Sequence, residues 1–421
     1  MTETQFTPDA AGAIPGPDWL ARRRVAAAEQ VAAATMPSVE EEVWRYTPIG
    51  QLDLSRYQLA HDGGGTSTAS VPEHSAMAET SNGRLGGIDL PAEVAAQGVE
   101  VRPLGEGDAD LAASVDVDMF ALMNAAFSVE PLLVRVPPGV SVEGPIVVRH
   151  WLDADGGAVF PRLIVDAGAD SSVEVLELYG SADISAFISP VIEIRVAAAA
   201  RVGYLAVQDL GPKVWHIGSQ VSHIGAQAHM RSSSAALGGE YARTRLDTHL
   251  SGRGATGDLI SLYFGDGEQT LDFRTFQDHA APDTTSTLLF KGAVDDSSRS
   301  VYTGLIRVRP DARGTNAYQT NRNIKLSEDA WAESVPNLEI ENNEVHCSHA
   351  SAVGPINSDQ LFYLESRGVP TETAERLIVA GFFDEVLDQF PVLEAVPAVR
   401  DRLQSKIEGL GHRGVDGEAG P

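Results

Sequence analysis

From Leu132 to about Val345 the chain alternates apolar and polar residues with a period of two. Short β-branched runs such as LLVRV, RLIVDAGAD, SVEVLELYG, SPVIEIRV and RVGYLAVQDL are separated by Gly, Asp or Pro. After His249 the same texture continues in LISLYFGDG, TLDFRTFQDH, TSTLLFKGAV, SVYTGLIRV and PNLEIENNEV. Such alternation marks strands with one buried face. Strand starts fall every 14 to 19 residues, with no helical stretch long enough for a βαβ crossover. That disfavours a doubly wound parallel sheet and leaves an antiparallel sandwich or a β-solenoid. An immunoglobulin-like sandwich takes about 100 residues. Here strands run unbroken for twice that length, which favours a solenoid whose stacked coils bury one continuous core.

Helical texture flanks this core. Residues 1–16 are polar and Pro-containing and read as a disordered lead-in. Asp18 caps a helix running from about Trp19 to Thr35, and Ser38 with Glu41 has capping-box spacing. Residues 17–130 thus form a helical and mixed region. Within it, residues 61–85 are rich in Gly, Ser and Thr and read as a flexible insertion. A further helix is expected over Asp116 to Phe127. The β core spans 131–355. Residues 356–410 form a helical domain: Asn357 or Ser358 caps a helix that Gly368 ends, and Pro370-Thr371 opens another. Ala374, Leu377, Ile378, Gly381, Phe382, Glu385 and Val386 recur at helical spacing, so this domain has an apolar stripe to pack or to offer. Phe382 and Phe383 point in different directions, leaving one of them for the surface. Residues 411–421 read as a disordered tail.

The net charge of −28 argues against nucleic acid and anionic membrane surfaces. The chain has no run of about 18 apolar residues and no signal-like start, and its single cysteine excludes an internal disulfide. A reducing cytoplasm fits.

That cysteine is the chemical focus. In VHCSHASAVG, Cys347 lies two positions before His349. On a strand the two share one face, and His346 and Ser348 take the other. A thiolate and an imidazole can hold a soft or borderline metal or a sulfur species, but a stable site needs two more ligands. The plainer reading is a buried Cys beside a hydrogen-bonded His. His216, His223, His229, His249 and His279 show no metal-ligand spacing. Asp247, Asp266, Asp272, Arg243, Arg245 and Arg274 offer a rival, a stand-alone β-solenoid enzyme acting on carbohydrate. No Walker motif or nucleophile elbow is present.

EEVWRYTP, YQTNRNIKLSEDAWAESVPNLEIENNEVHCSHASAVG, DQLFYLESRGVP and AERLIVAGFFDEV together resemble the SufB/SufD family of iron–sulfur cluster assembly proteins. The segment Asn321 to Glu328 is similar to the SufD-like branch. A cysteine near Asn321 and an E-H-E at Cys347-Ser348-His349 would mark the SufB-like branch, and both are missing.

The resemblance implies a mainly β protein: a right-handed parallel β-helix flanked by N-terminal and C-terminal helical regions. It implies a non-catalytic scaffold that pairs with a SufB-like paralogue and docks a SufC-like ABC ATPase. His349 and Cys347 would lie at the seam and serve as transient ligands to a nascent iron–sulfur cluster shared with the partner. Gln360, Leu361, Tyr363, Arg367, Gly368 and Phe382 would dock the ATPase. No cofactor is expected to stay bound to the chain alone, and flavin association is the least supported of these expectations. A homodimer is expected when the paralogue is missing. A purely structural homodimer with an inert Cys347 is the remaining rival.

Overall fold

The structure is a computed structural model that describes residues 5–60, 64–67, 69–111 and 117–410. Its core is a β-solenoid of about 8 turns. Each turn places one strand in each of two parallel sheets, so the strand spacing read from the sequence is half a coil. The first sheet runs from Leu132–Val136 to Trp331–Ile340, and the second from Ile146–Leu152 to His346–Gly354. The coils turn at a repeating corner. Gly139, Asp170, Ala199, Gln227, Gly254, Asp283 and Gly314 all have positive φ, and each follows a first-sheet strand. This left-handed residue lets the backbone swing into the second sheet.

Inward residues stack in register. Val165 lies between Val134 and Ile194, and all three are fully buried. Stacked columns of this kind bury a continuous apolar core.

The helical regions pack on the outer faces of the solenoid. Helices α1 (Pro8–Gly12), α2 (Asp18–Ala33), α3 (Ala92–Ala95) and α4 (Met119–Phe127) precede the core. Phe6, Ala11, Ile14, Ala28, Trp44 and Phe127 join Phe160, Phe187, Trp215 and Tyr241 in one apolar cluster. Helices α5 (Ser358–Ser366), α6 (Thr371–Leu387) and α7 (Val396–Glu408) follow. Val379, Phe383, Val386 and Leu403 pack on Leu205, Ile260, Leu262 and Phe264 of the second sheet.

Several expectations need correction. The lead-in is ordered from residue 5: Thr7 caps α1, and Phe6 anchors it beneath Phe127 and Phe160. Its first four residues lie outside the described residues. Ser38 and Glu41 do bond across the turn, with Ser38 N–H donating to Glu41 Oε1 at 3.0 Å. They start no α-helix, and only a short 3-10 turn at Glu42–Trp44 follows. The segment 61–85 ends in a β-hairpin that continues past it, Ala76–Ser81 with Arg84–Asp89, turning at Asn82-Gly83. It pairs with Ile146–Leu152 and buries Ala76 and Ala78. Residues 61–63 and 68, the start of the expected Asp116 helix and the 411–421 tail lie outside the described residues. Asn357 caps α5 by accepting from Asp359 and Gln360 N–H, both at 3.0 Å, and Gly368 beyond its end has φ 83.

Candidate functional site

The last coil of the solenoid is open. Among the described residues, Trp331–Ile340 pairs only with Arg299–Val308, and His346–Gly354 only with Asn316–Lys325. Both sheets therefore end in a row of unpaired backbone groups. His346 N–H donates to Thr315 O at 2.9 Å. Alternate residues of a strand face the same neighbour. The N–H and C=O of Cys347, His349, Ser351 and Val353 thus point to the open side.

The side chains of the same residues follow the inward columns. Cys347 registers with Ala317 and His349 with Gln319, and Ala317 and Gln319 are both buried. Cys347 is half-buried against Ile306, Val308, Ala312, Ala317, Leu338 and Val345. Burial pushes its thiol up from the ordinary range, which favours the neutral, less reactive form. His349 is exposed. The two side chains share a face in different surroundings, one in an apolar corner and one toward solvent. Among the described residues no three His, Cys, Asp or Glu side chains come together as a metal site.

A second candidate surface lies beside this coil. A groove of about 1130 Å³ runs between the second sheet and α5 and α6, lined in part by Lys291, Arg322, Gln360, Tyr363, Leu377 and Phe382. Gln360, Tyr363 and Phe382 of the expected docking set line it, whereas Leu361, Arg367 and Gly368 do not. The Arg367 guanidinium sits 5.2 Å from the centre of the Tyr363 ring. Lys291 fixes the Phe382 region: its ammonium lies 4.5 Å from that ring's centre, donates to Phe382 O at 2.8 Å and pairs with Glu385 at 2.5 Å. Of the two adjacent phenylalanines, Phe383 is buried and Phe382 half-exposed. Phe362, 71 % exposed, was not among the sequence candidates for docking. Its exposure follows from helix phase, because Leu361 and Leu364 take the inner side of α5.

The Asp and Arg residues behind the carbohydrate reading are tied into ion pairs, with Asp272 shared by Arg243 and Arg274. Asp272 is fully buried, pairs with Arg243 and accepts from Tyr241 Oη at 2.8 Å. The Arg243 guanidinium also stacks 3.9 Å over the Trp44 ring, tying the WRYT segment to the solenoid. Asp247 pairs with Arg245 at 2.9 Å, and Asp266 takes Lys406 at 2.9 Å.

No helix among the described residues is long and apolar enough to cross a membrane. Residues 150–382 match the family described as SUF system FeS cluster assembly, SufBD core domain. An iron-sulfur cluster assembly SufBD family protein of Mycobacterium leprae is 32% identical over 399 residues, covering 92% of this chain and 94% of that protein. The iron-sulfur cluster assembly protein SufD of Escherichia coli is 26% identical, covering 86% of each chain. SufD of Bacillus subtilis is 29% identical over 70% of this chain and 67% of its own length. The β-solenoid with its open final coil and these matches agree: the chain belongs to the SufBD family of iron–sulfur cluster assembly proteins.

Proposed function

We propose that the chain is a SufD-like scaffold subunit that catalyses no reaction itself and supplies half of a cluster-assembly site. The observation that carries this reading is the open last coil. It offers unpaired backbone on both sheets and presents His349 and Cys347 beside it. A paralogue with the same fold, SufB-like, extends both sheets by strand addition, a recurrent recognition mode. The ligands missing from this chain then come from the partner. His349, exposed on the last strand, is the stronger ligand, and Cys347 is held back by its apolar corner. The nascent cluster is cargo shared across the seam. The groove between α5, α6 and the second sheet docks a SufC-like ABC ATPase, with Tyr363 and Phe382 as aromatic contacts. In the absence of the paralogue the same open edge favours a homodimer.

Co-expression with a SufB-like paralogue and a SufC-like ATPase, followed by sizing and iron measurement, tests this reading. His349→Ala is expected to leave assembly intact and abolish cluster build-up. Normal cluster accumulation in that variant defeats the half-site. Robust ATP turnover by the isolated chain defeats the scaffold role.

A further inference from the structure

The strand beneath the open coil carries a polar residue where packing alone would place an apolar one. Gln319 points into the solenoid and is 1% exposed. Its column runs from Leu288 below, through Gln319, to His349 above. Leu288 is buried and offers no polar atom. Neither Oε1 nor Nε2 of Gln319 has a hydrogen-bond partner among the described residues. The Tyr302 hydroxyl, which bonds to Thr275 Oγ1 at 3.0 Å, lies close by in the lumen. It also approaches the Gln319 amide as a polar contact, although neither amide atom completes a hydrogen bond. Gly304 makes room for both groups: a Cβ there would lie 2.3 Å from Tyr302 Oη and 2.4 Å from Gln319 Nε2. The amide is thus confined beneath the coil edge.

A buried amide left short of hydrogen bonds costs up to about 1–3 kcal/mol, so its retention calls for an explanation. Registered neighbours in adjacent strands lie about 4.8 Å apart. The imidazole of His349 therefore needs only a side-chain rotation, with no backbone movement, to reach the amide. In the free chain His349 is exposed, and water competes for that bond. Covering the coil removes the water and strengthens the contact.

We propose that Gln319 is the positioning residue of His349: its side-chain carbonyl accepts a hydrogen bond from one ring nitrogen when the coil is covered, leaving the other ring nitrogen free to bind iron. A ligating histidine is commonly oriented in this way through its second nitrogen. The inference rests on the half-site reading above.

The test uses the full chain, ¹⁵N-labelled on histidine, in complex with co-expressed SufB-like and SufC-like partners. The wild-type complex is expected to show His349 in a single tautomer by ¹⁵N shift. Gln319→Met removes the acceptor at nearly constant volume. It is expected to give mixed tautomers and to lower cluster build-up about tenfold or more, with assembly unchanged by sizing. Gln319→Glu keeps an acceptor oxygen and is expected to recover a single tautomer and most of the build-up. A purely packing role predicts the reverse order, because a buried carboxylate is costlier than a thioether. Wild-type tautomer and build-up in Gln319→Met overturn the proposal, as does equal impairment of both variants. If neither variant assembles, the wild-type spectrum decides, and mixed tautomers there overturn it. The half-site reading fails separately: His349→Ala that still builds clusters defeats it, whereas an inactive His349→Ala with a normal Gln319→Met defeats only the role of Gln319.

Discussion

The two ends of the solenoid are finished differently. At the N-terminal end both sheets stop on antiparallel strands, Glu100–Pro103 on the first sheet and Arg84–Asp89 on the second. Leu85, Ile88, Leu90, Val94 and Val99 close over the first coils. The columns beneath hold Val134, Val165, Ile146 and Val175, all fully buried. Even there buried polar contacts intrude, among them His150 Nε2 to Glu177 at 2.9 Å and His150 Nδ1 to Thr80 Oγ1 at 2.7 Å. At the C-terminal end the last strands are paired on one side only among the described residues, and Gln319, Asn321, Asn323, Tyr302 and Ser300 lie buried in the interior. The sealed end contributes stability through apolar burial. The open end gives up some of that burial to keep polar groups under a surface that a partner can cover.

The largest expected effect tests the sealed end. Val165→Asp places a charge between Val134 and Ile194, where nothing can pair with it. Such a burial costs more than about 4 kcal/mol, and the variant is expected to be insoluble or unfolded by circular dichroism. Ser351→Asp, on the exposed inward face of the last coil, is expected to shift stability by less than about 0.5 kcal/mol. Equal losses in the two variants would erase the distinction between the ends.

Acid is the next largest probe. His279 lies two strands in from the open edge of the first sheet. Its ring bonds to Thr284 Oγ1 at 2.8 Å and Ser286 Oγ at 2.9 Å. Burial pushes its pKa down from 6.5 to about 4, against a smaller opposing pull from Asp278. His216, mid-solenoid, is likewise lowered to about 4 by burial, against Glu177. A histidine with a depressed native pKa is neutral when folded and takes up its proton first in the unfolded chain. Its contribution is therefore full above pH 6.5 and lost as pH falls from 6.5 toward 4. Each such histidine is worth on the order of 3 kcal/mol over that window. Urea midpoints are expected to fall steeply between pH 6.5 and 4, with a shallower slope in His279→Gln. Hydrogen exchange should quicken first in the strands from Thr270 onward. An unchanged slope in His279→Gln would show that the open end does not carry this sensitivity.

Much of this contrast was legible in the chain. Alternation located the strands because each buries one face, and Cys347-x-His349 implied a shared face for the same reason. Of the stripe read on α6 only Ala374 and Val386 are buried; Leu377, Gly381 and Glu385 are exposed, and the packing face is completed by Val379, Phe383 and Leu387 instead. What escaped reading depends on tertiary contact. Helix α1 is only Pro8–Gly12, and its stability comes from Phe6 and Ile14 reaching a distant cluster. The hairpin at 76–89 is built from small residues that resemble a linker, although Asn82-Gly83 is a recognisable hairpin turn signal. Gln319 looked like one more polar residue in YQTNRN. Only the register of the coils shows it buried beneath His349.

The open edge itself can be tested one backbone group at a time. Ser351 N–H faces the open side, and Ala352 N–H faces Asn316–Lys325. Proline is tolerated on an edge strand where its missing N–H would face solvent. Ser351→Pro is expected to leave the isolated chain folded and to weaken pairing with a SufB-like partner at least tenfold. Ala352→Pro removes a bond within the chain's own ladder and is expected to lower stability as well. Unimpaired pairing by Ser351→Pro, measured by analytical ultracentrifugation, would show that strand addition on the second sheet does not hold the complex together.

The smallest effect on folding is expected at Phe362. No residue of α5 is buried, and Phe362 projects 71 % of its surface to solvent. An exposed aromatic of this size contributes little to the fold, so Phe362→Ala should change stability by less than about 0.5 kcal/mol. As an anchor for a docked ATPase, the same side chain fits the aromatic, central character of interface hot spots, whose loss costs about 2 kcal/mol or more. That corresponds to a roughly thirtyfold weaker complex by titration calorimetry, with the melting temperature unchanged. Separation of the two readouts would extend the contrast between the ends to the helical domain, where the buried face of α6 holds the fold and α5, with Phe382, meets the partner. A fall in melting temperature with no change in affinity would place Phe362 with the packing residues instead.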